Sequence, residues 1–330
     1  MRLITCDDFD MNTSTGKTLS EFSVHLRSWG AMALPASQLR VNMDFGEKMN
    51  RVLSDSHIYV LCKRPVFSFD PDTFLWSQNR VTCDLVCKVK GVSTSIHFEF
   101  DLPLKENEAM VALAPSPHRE IRVLDEKGEC VRILTAMGLS QHPAILRKDP
   151  FPNDLEVLYV GNVFEEGKTS VFERICRNEP LQNLVVAMQQ ALPDDEIIIY
   201  VFEYLPYELL ALFGRLQHQS KEEGPGETRF VSIKDHPLTE HQKICLAQGG
   251  LIYYFRPDWQ EPGGKMMPDA GQAVFQACEK LDMAGLVVEI STVRSHFRLY
   301  SASSALLPHH MTMINLSDSD SRAAFFSMKI

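Results

Sequence analysis

The 330-residue sequence lacks the long apolar run that a membrane-spanning helix needs, about eighteen residues or more. Its N-terminus, MRLITCDDFDMNTSTG, soon turns acidic and polar, and it lacks the apolar centre of a signal peptide. A basic balance is missing too, because the net charge is −10, whereas DNA-binding domains are more often basic. These absences predict a cytoplasmic protein without membrane contact. They also count against tight nonspecific binding of nucleic acid by the whole chain.

Closely spaced cysteines are scarce. Of the eight cysteines, only Cys83 and Cys87 lie near each other in sequence. A structural zinc site would need a second close pair of similar spacing. We therefore predict free, mostly buried thiols in a reducing compartment.

The hydrophobic pattern divides the chain near residue 147. Before it, β-branched and aromatic runs separated by Pro, Asp, Asn and Gly predict strands, with a helix near 45–54 and a hairpin over 120–134. The connector RKDPFPNDLE (147–156) then gives way to alternating strands and helices. We predict an α+β fold. It would comprise a β-rich domain (1–147), an α/β domain with a small mixed or antiparallel sheet flanked by helices (148–310) and a loosely held tail (311–330).

The second part carries specific local signals. Ser170 followed by Glu173, and Thr239 followed by Gln242, are capping boxes that predict helix starts. The continuous apolar run EIIIYVFEYL predicts a buried strand. The remaining predictions are a strand at 155–161, helices at 181–192, 207–219 and 239–255, a short strand at 230–235, and two strands within 286–301.

The stretch LEVLYVGNVFEEGKTSVFERI has the outline of a phosphate-binding loop. In that motif four residues separate the two glycines, so that backbone N–H groups converge on a phosphate. Here five residues separate Gly161 from Gly167, Asn162 stands where the first glycine belongs, and Glu165 with Glu166 would face a triphosphate with like charge. A nucleotide-binding protein with a near-miss loop therefore remains only the third alternative.

The same stretch resembles the second half of the GIY-YIG nuclease core: a strand with Tyr159-Val160-Gly161, a loop, and a helix carrying Arg174. A second segment, HQKICLAQGGLIYYFRPDWQ (241–260), is similar to that family's later helix. The resemblance covers about residues 140–300. It extends to bacterial or phage proteins that carry an additional N-terminal β-rich domain. The first half of the motif would fall at HPAILRK (142–148), where the expected tyrosine is missing.

The resemblance implies roles for particular residues. In the family, two tyrosines lie near the attacking water, an arginine holds the scissile phosphate and a glutamate binds one divalent metal. Tyr159 and Arg174 would take the first two roles, and Gln248 stands in the place of the glutamate. Gln260 stands in the place of an asparagine. The neighbouring cations Lys168 and Arg177 would contact nucleic acid.

The residue at 248 predicts weak catalysis. Mg²⁺ is held in proteins through one or two carboxylates, and Gln248 offers only a neutral amide. It also lies in the middle of an apolar helix face, where an unpaired amide costs about 1–3 kcal/mol. Gln248 thus needs a partner, water or a cleft. Gly249 and Gly250 follow it inside the helix, which favours close backbone packing and natural drift over a single engineered change.

Two hypotheses remain open from the sequence. The first is a nuclease-derived domain with impaired chemistry that contacts DNA and, if active, uses Mg²⁺ as its cofactor. The second is a non-catalytic interaction protein that keeps the fold as a scaffold and binds a protein partner through its N-terminal part. An open cleft around Tyr159, Arg174 and Gln248 would favour the first, and a filled one the second.

Overall fold

The structure, a computed structural model, describes residues 17–39, 45–89, 91–140, 153–165, 169–215, 231, 233–260 and 269–330. Helices and strands both occur, as the predicted α+β class requires. The strands in these residues are β1 (Lys17–Pro35), β2 (Ser56–Pro65), β3 (Ser68–Phe69), β4 (Leu75–Ser77), β5 (Arg80–Val89), β6 (Val92–Asp101), β7 (Met110–Leu113), β8 (Glu120–Leu124), β9 (Cys130–Thr135), β10 (Asp154–Asn162), β11 (Asp195–Tyr204), β12 (Glu208–Arg215), β13 (Gly285–Ser291), β14 (Arg298–Ser301), β15 (Ser304–Leu307) and β16 (His309–Asn315).

Helices flank these strands along the chain. The helices in the described residues are α1 (Glu47–Asp55), α2 (Ala136–Ser140), α3 (Val171–Arg177), α4 (Glu179–Ala191), α5 (Glu240–Phe255), α6 (Asp269–Ala277) and α7 (Ser319–Phe326). The signal at Thr239 is confirmed as a full capping box at the start of α5. At the start of α3, Ser170 Oγ accepts from the Glu173 N–H as predicted.

One mixed sheet, with nine strands in the part of the chain that the structure describes, organises the fold and is larger than the small sheet predicted. Its order is β15-β14-β10-β2-β11-β1-β13-β16, and β12 pairs with β1 outside this path. The β1–β13 and β10–β14 pairs are parallel, whereas the other pairs are antiparallel. The apolar run that predicted a buried strand is β11, which lies between β2 and β1.

The predicted division at residue 147 differs from this topology. β1 and β2 precede the boundary, yet β2 lies between β10 and β11, and β1 lies between β11 and β13. A separate apolar cluster spans only Phe67 to Leu139, within the two smaller sheets formed by β3–β9. The predicted hairpin is present there as β8 and β9. The β-rich unit is therefore an excursion between β2 and β10 rather than an N-terminal domain.

Helix α5 lies at the centre of the main core. Ten consecutive residues, 243–252, are buried, as expected for a helix surrounded on all sides. The cluster around it includes residues of β1, β2, β10, β11, β13, β14 and β16. Gly249 and Gly250 permit this packing, because a Cβ at Gly249 would lie 2.5 Å from the Phe275 ring, and one at Gly250 would meet Val288. The close packing predicted for the two glycines is confirmed.

A second apolar layer covers the opposite face of the sheet. It joins Leu53 of α1 and residues of α3 and α4 to the alternate side chains of the central strands, such as Leu61, Ile199 and Val201. The middle of the large sheet is thus buried on both faces. This explains why β11 reads as a continuous apolar run instead of an alternating one.

Two local predictions are wrong. The helix expected at 207–219 is strand β12 over Glu208–Arg215, which pairs with β1 from Lys17 to His25. Leucine-rich segments have good helix propensity, but pairing with a neighbouring strand overrides a local preference. The strand expected at 230–235 is wrong as well, because Val231 and residues 233–235 are helical.

The tail predicted at 311–330 is also wrong. That segment contains most of β16, which pairs with β13, and then helix α7. The polar run that suggested a loose tail is the start of this helix, where Asp318 accepts from the Ser321 N–H. Phe325 and Phe326 that follow are each only 2% exposed and pack on Phe275.

Candidate functional site

Gly161, the glycine that suggested a phosphate loop, is explained by aromatic packing. A Cβ at this position would lie 2.8 Å from Tyr159 Cε1 and would collide with the Tyr59 ring. In the β2–β10 pair, Gly161 lies opposite Tyr59. The glycine makes room for a tyrosine on the neighbouring strand. Lys168, predicted to contact nucleic acid, lies outside the described residues, as does the 142–148 segment.

Gln248 is fully buried, and both ends of its amide have partners. Its Nε2 donates to the Val160 carbonyl at 3.3 Å, and its Oε1 accepts from Asn162 Nδ2. Val160 lies on β10 beyond the part that pairs with β14, which ends at Glu156. The amide of Gln248 therefore donates the hydrogen bond that β14 would otherwise give to the Val160 carbonyl, where β14 no longer pairs with β10.

The segment after α5 continues this pattern. The Trp259 N–H donates to the Leu158 carbonyl at 3.1 Å, and Gln260 Oε1 accepts from the Val160 N–H at 3.0 Å. Together Gln248 and Gln260 bond the amide N–H and the carbonyl of one residue. These two side chains take the place of strand partners on the edge of β10 beyond the end of the β10–β14 pairing.

This arrangement does not fit a magnesium ion. Mg²⁺ requires oxygen ligands in near-octahedral geometry, usually including a carboxylate. The one oxygen of Gln248 is already hydrogen-bonded to Asn162, and its other polar atom is a donor. Among the described residues, no group of three or more His, Cys, Asp or Glu side chains could hold a metal.

Tyr159 faces the opposite apolar layer. It is 4% exposed, and its ring stacks on Tyr59 with centroids 6.1 Å apart. Burial raises the pKa of Tyr159 and raises that of Tyr59 well above its ordinary value. A phenol with a raised pKa in a closed core lacks the access to water that a hydrolytic role requires. The sequence alone does not identify Tyr59, because this residue lies about a hundred residues before Tyr159 and only the β2–β10 pairing brings the two together.

Arg174 is 5% exposed and binds the end of α1. Its Nη2 donates to the carbonyls of Ser56 at 2.5 Å and Ser54 at 3.4 Å, and its Nη1 lies 2.7 Å from His57 Nδ1. The carbonyls at a helix C-terminus lack intrahelical partners and favour a cation. Arg174 thus has a structural role. Among the described residues, its Nη1 and Nη2 have hydrogen-bond partners and its Nε has none. Arg177, the other predicted nucleic-acid contact, is exposed at the end of α3.

His57 belongs to the same buried group. It lies against the Phe164 ring, which stacks on His241 with centroids 4.4 Å apart. Burial lowers the pKa of His57 to about 4, and the positive charges of Arg174 and Lys243 add to the effect. Because Arg174 must donate, Nδ1 of His57 accepts and the neutral ring carries its proton on Nε2. Tyr159, Arg174 and Gln248 are thus all buried, and among the described residues they do not line one open cleft.

We expect His57 to make the protein less stable as the pH falls. The unfolded chain binds a proton near pH 6.5, whereas the folded one does so only near pH 4, so stability is complete above 6.5 and is lost progressively below it. At about 1.4 kcal/mol per pKa unit, the loss is at most about 3.5 kcal/mol.

Urea unfolding of the parent chain and of His57→Gln, measured from pH 7 to pH 4.5, tests this expectation. The glutamine retains an acceptor for Arg174 but cannot be protonated. The difference in unfolding free energy between the two proteins should therefore change with pH in favour of the variant on the acid side. Parallel curves over the whole range would contradict the assignment.

Comparisons with known proteins add no relative. No protein-family model matches the chain, and neither the curated proteins nor the solved structures give a significant match. Within the described part of the chain, every helix is too short or too polar to cross a membrane.

Proposed function

We propose that this chain is a non-catalytic binding protein in which the large sheet acts as a scaffold. The observation that supports the proposal is the burial of the three predicted site residues. Tyr159, Arg174 and Gln248 are 4%, 5% and 0% exposed, and each has partners within the fold. A scissile phosphate needs access to its arginine and its metal, and these side chains do not offer it.

The β-rich excursion supplies the surface for a protein partner in this proposal. Its strands form two sheets of their own, and its apolar cluster is separate from those of the large sheet. Residues of such a unit can be substituted without disturbing the core around α5. This separation is what a scaffold that presents an interaction module requires.

A nuclease-derived origin is the second candidate, and one observation favours it. The β2–β10 pair brings Tyr59 and Tyr159 together, and Arg174 on α3 contacts His57 on β2. Two tyrosines on neighbouring strands and an arginine on the following helix are the residue types that the GIY-YIG resemblance implies. In this candidate the residues were retained in the core after the metal ligand was replaced.

Incubation with supercoiled and branched DNA in Mg²⁺ or Mn²⁺ distinguishes the two candidates. We expect no cleavage by the parent chain, by Arg174→Ala or by Gln248→Glu. Arg177→Ala, which removes an exposed charge from the same helix as Arg174, is the matched control. Circular dichroism melting of each variant reports whether it is folded.

Cleavage by the parent chain that is lost in Arg174→Ala and kept in folded Arg177→Ala would overturn the binding-protein proposal. Cleavage by Gln248→Glu alone would establish the nuclease-derived origin and place the loss of chemistry at that residue. No cleavage by any of the proteins supports the proposal.

A further inference from the structure

An open pocket of about 830 Å³ lies at the C-terminal end of α5. Its walls come from the last turn of α5, the segment up to Gln260, the end of β16, and α7 with the residues that follow it. Pockets that hold small ligands usually measure about 300–1,000 Å³, so the volume suits a molecule of several rings. Gln260 lies on its rim and joins it to the ladder of β10.

The described lining of the pocket carries positive charge, in contrast to the chain as a whole. Arg256 and Lys329 line it, and none of the described residues that line it is aspartate or glutamate. No carboxylate of the described residues forms a salt bridge with either cation. With a net charge of −10 over the protein, two cations in one concave site that no described carboxylate pairs with are an exception that requires an explanation.

The floor of the pocket is apolar and partly aromatic. Ile252, Ile314 and Phe325 are buried and contribute to its lining, and Tyr253 remains 40% exposed. The Arg256 guanidinium lies 5.9 Å from the centre of the Tyr253 ring. A cation over an aromatic ring, beside apolar side chains, fits a flat ligand that carries a negative charge.

The backbone of Arg256 supplies a second observation. It ends α5 in the left-handed conformation, with φ of +45°. Glycine is the usual residue at such a helix end, because a side chain there is strained. An arginine at this position gives up backbone stability, which is consistent with a function for its guanidinium.

The C-terminal end of α5 repels an anion in the pocket, but only weakly. The C-terminal carbonyls of a helix carry about half an elementary negative charge, and the Arg256 N–H already bonds one of them, the Ile252 carbonyl. Two full positive charges outweigh this partial charge.

We propose that this pocket binds an organic anion with one acidic group on a flat apolar body. Arg256 and Lys329 would contact the acidic group, and Tyr253, Ile314 and Phe325 would contact the body. The shared chemistry covers carboxylates, sulfonates and phosphates. This proposal goes beyond the scaffold function and does not depend on it, because it concerns a different surface from the β-rich excursion.

Two fluorescent probes of matched shape test the proposal. Anilinonaphthalene sulfonate carries the acidic group, and N-phenylnaphthylamine is the same body without it. We expect the parent chain to bind one sulfonate probe per molecule and to bind the neutral probe at least about tenfold more weakly, since a charged hydrogen bond is worth about that factor. Displacement by naphthyl phosphate and by naphthoate then distinguishes the two natural types of acidic group.

Arg256→Gly is the informative variant, because glycine accepts the left-handed backbone while the side chain with its guanidinium is lost. Its affinity for the sulfonate probe should fall about tenfold with no drop in melting temperature. Arg294→Ala is the matched control, since it removes an exposed guanidinium that stacks on Trp29, 4.1 Å from the ring centre and outside the pocket lining. Equal binding of the two probes, or an equal effect of the two variants, would overturn the proposal.

Discussion

Replacing Phe325 with Ala is expected to lower the free energy of unfolding by about 3–5 kcal/mol, the usual cost of deleting a buried phenylalanine ring. The ring is 2% exposed and lies 5.2 Å from the Phe275 ring centre and 5.1 Å from that of Phe326. Phe275 in turn packs where a Cβ at Gly249 would be. The cavity would therefore open beside α5, where the surrounding helices have little room to relax.

Urea denaturation of the parent chain and of Phe325→Ala measures this loss. Met313→Ala is the matched control in the same C-terminal segment, because Met313 is 75% exposed and a surface substitution usually changes stability by about 0.5 kcal/mol or less. Similar small losses for both variants would show that the segment after β15 is the loose tail that the sequence suggested, and that the packing described for α7 is wrong.

Gln248→Glu is expected to destabilise the protein by about 3 kcal/mol or more at neutral pH, because a buried charge costs more than a buried neutral group. One carboxylate oxygen would still accept from Asn162. The other would face the Val160 carbonyl, to which the present amide donates. Two acceptors would then meet without a proton between them.

The pH dependence of this variant follows from the same contact. Burial raises the pKa of a carboxyl group, so the folded state would hold its proton at higher pH than the unfolded chain does. The deficit relative to the parent is then small below the unfolded pKa of about 4.3 and grows as the pH rises through the folded value. Urea unfolding at several pH values measures it.

Gln276→Glu is the control, since it makes the same change on the exposed side of α6. A Gln248→Glu variant as stable at pH 8 as Gln276→Glu would mean that water or a cation reaches residue 248. The filled core assigned to this position would then be wrong.

Local signals predicted those parts of the fold that depend on local physics. The helix starts at Ser170 and Thr239 follow from side chains that bond backbone N–H groups three residues away. The hairpin of β8 and β9 closes through Asp125, which accepts from the N–H groups of Lys127 and Glu129. In each case the residues that decide the structure are close together in sequence.

Features that depend on distant partners could not be predicted. The segment of β12 reads as a helix by composition, and it is a strand because β1 offers an edge about 190 residues earlier. The boundary at 147 marks a change of pattern, but the chain returns to a sheet that it had already begun. The sequence pattern therefore predicts the change correctly, but the segments on its two sides belong to one sheet rather than to two domains.

The candidate site shows the same limit. The sequence predicts that Gln248 needs a partner, and the structure provides the Val160 carbonyl and Asn162. It could not show that Tyr159 would meet Tyr59, or that Arg174 would bind the end of α1. Those contacts depend on the order of strands in the sheet. The pocket beside Arg256 left one local trace, an arginine where helices usually end in glycine.

The strand order of the large sheet also bears on how this protein can evolve. Strands from before residue 140 alternate with strands from after residue 153, so that β1 and β2 have no contact in the sheet without β11 between them. The Ser291 N–H donates to Ser28 Oγ across 263 positions, a long-range closure of the kind that slows folding. Neither half can be copied, lost or fused to another gene as a portable module. The β-rich excursion between β2 and β10 is the part that recombination could exchange while the remaining architecture persists.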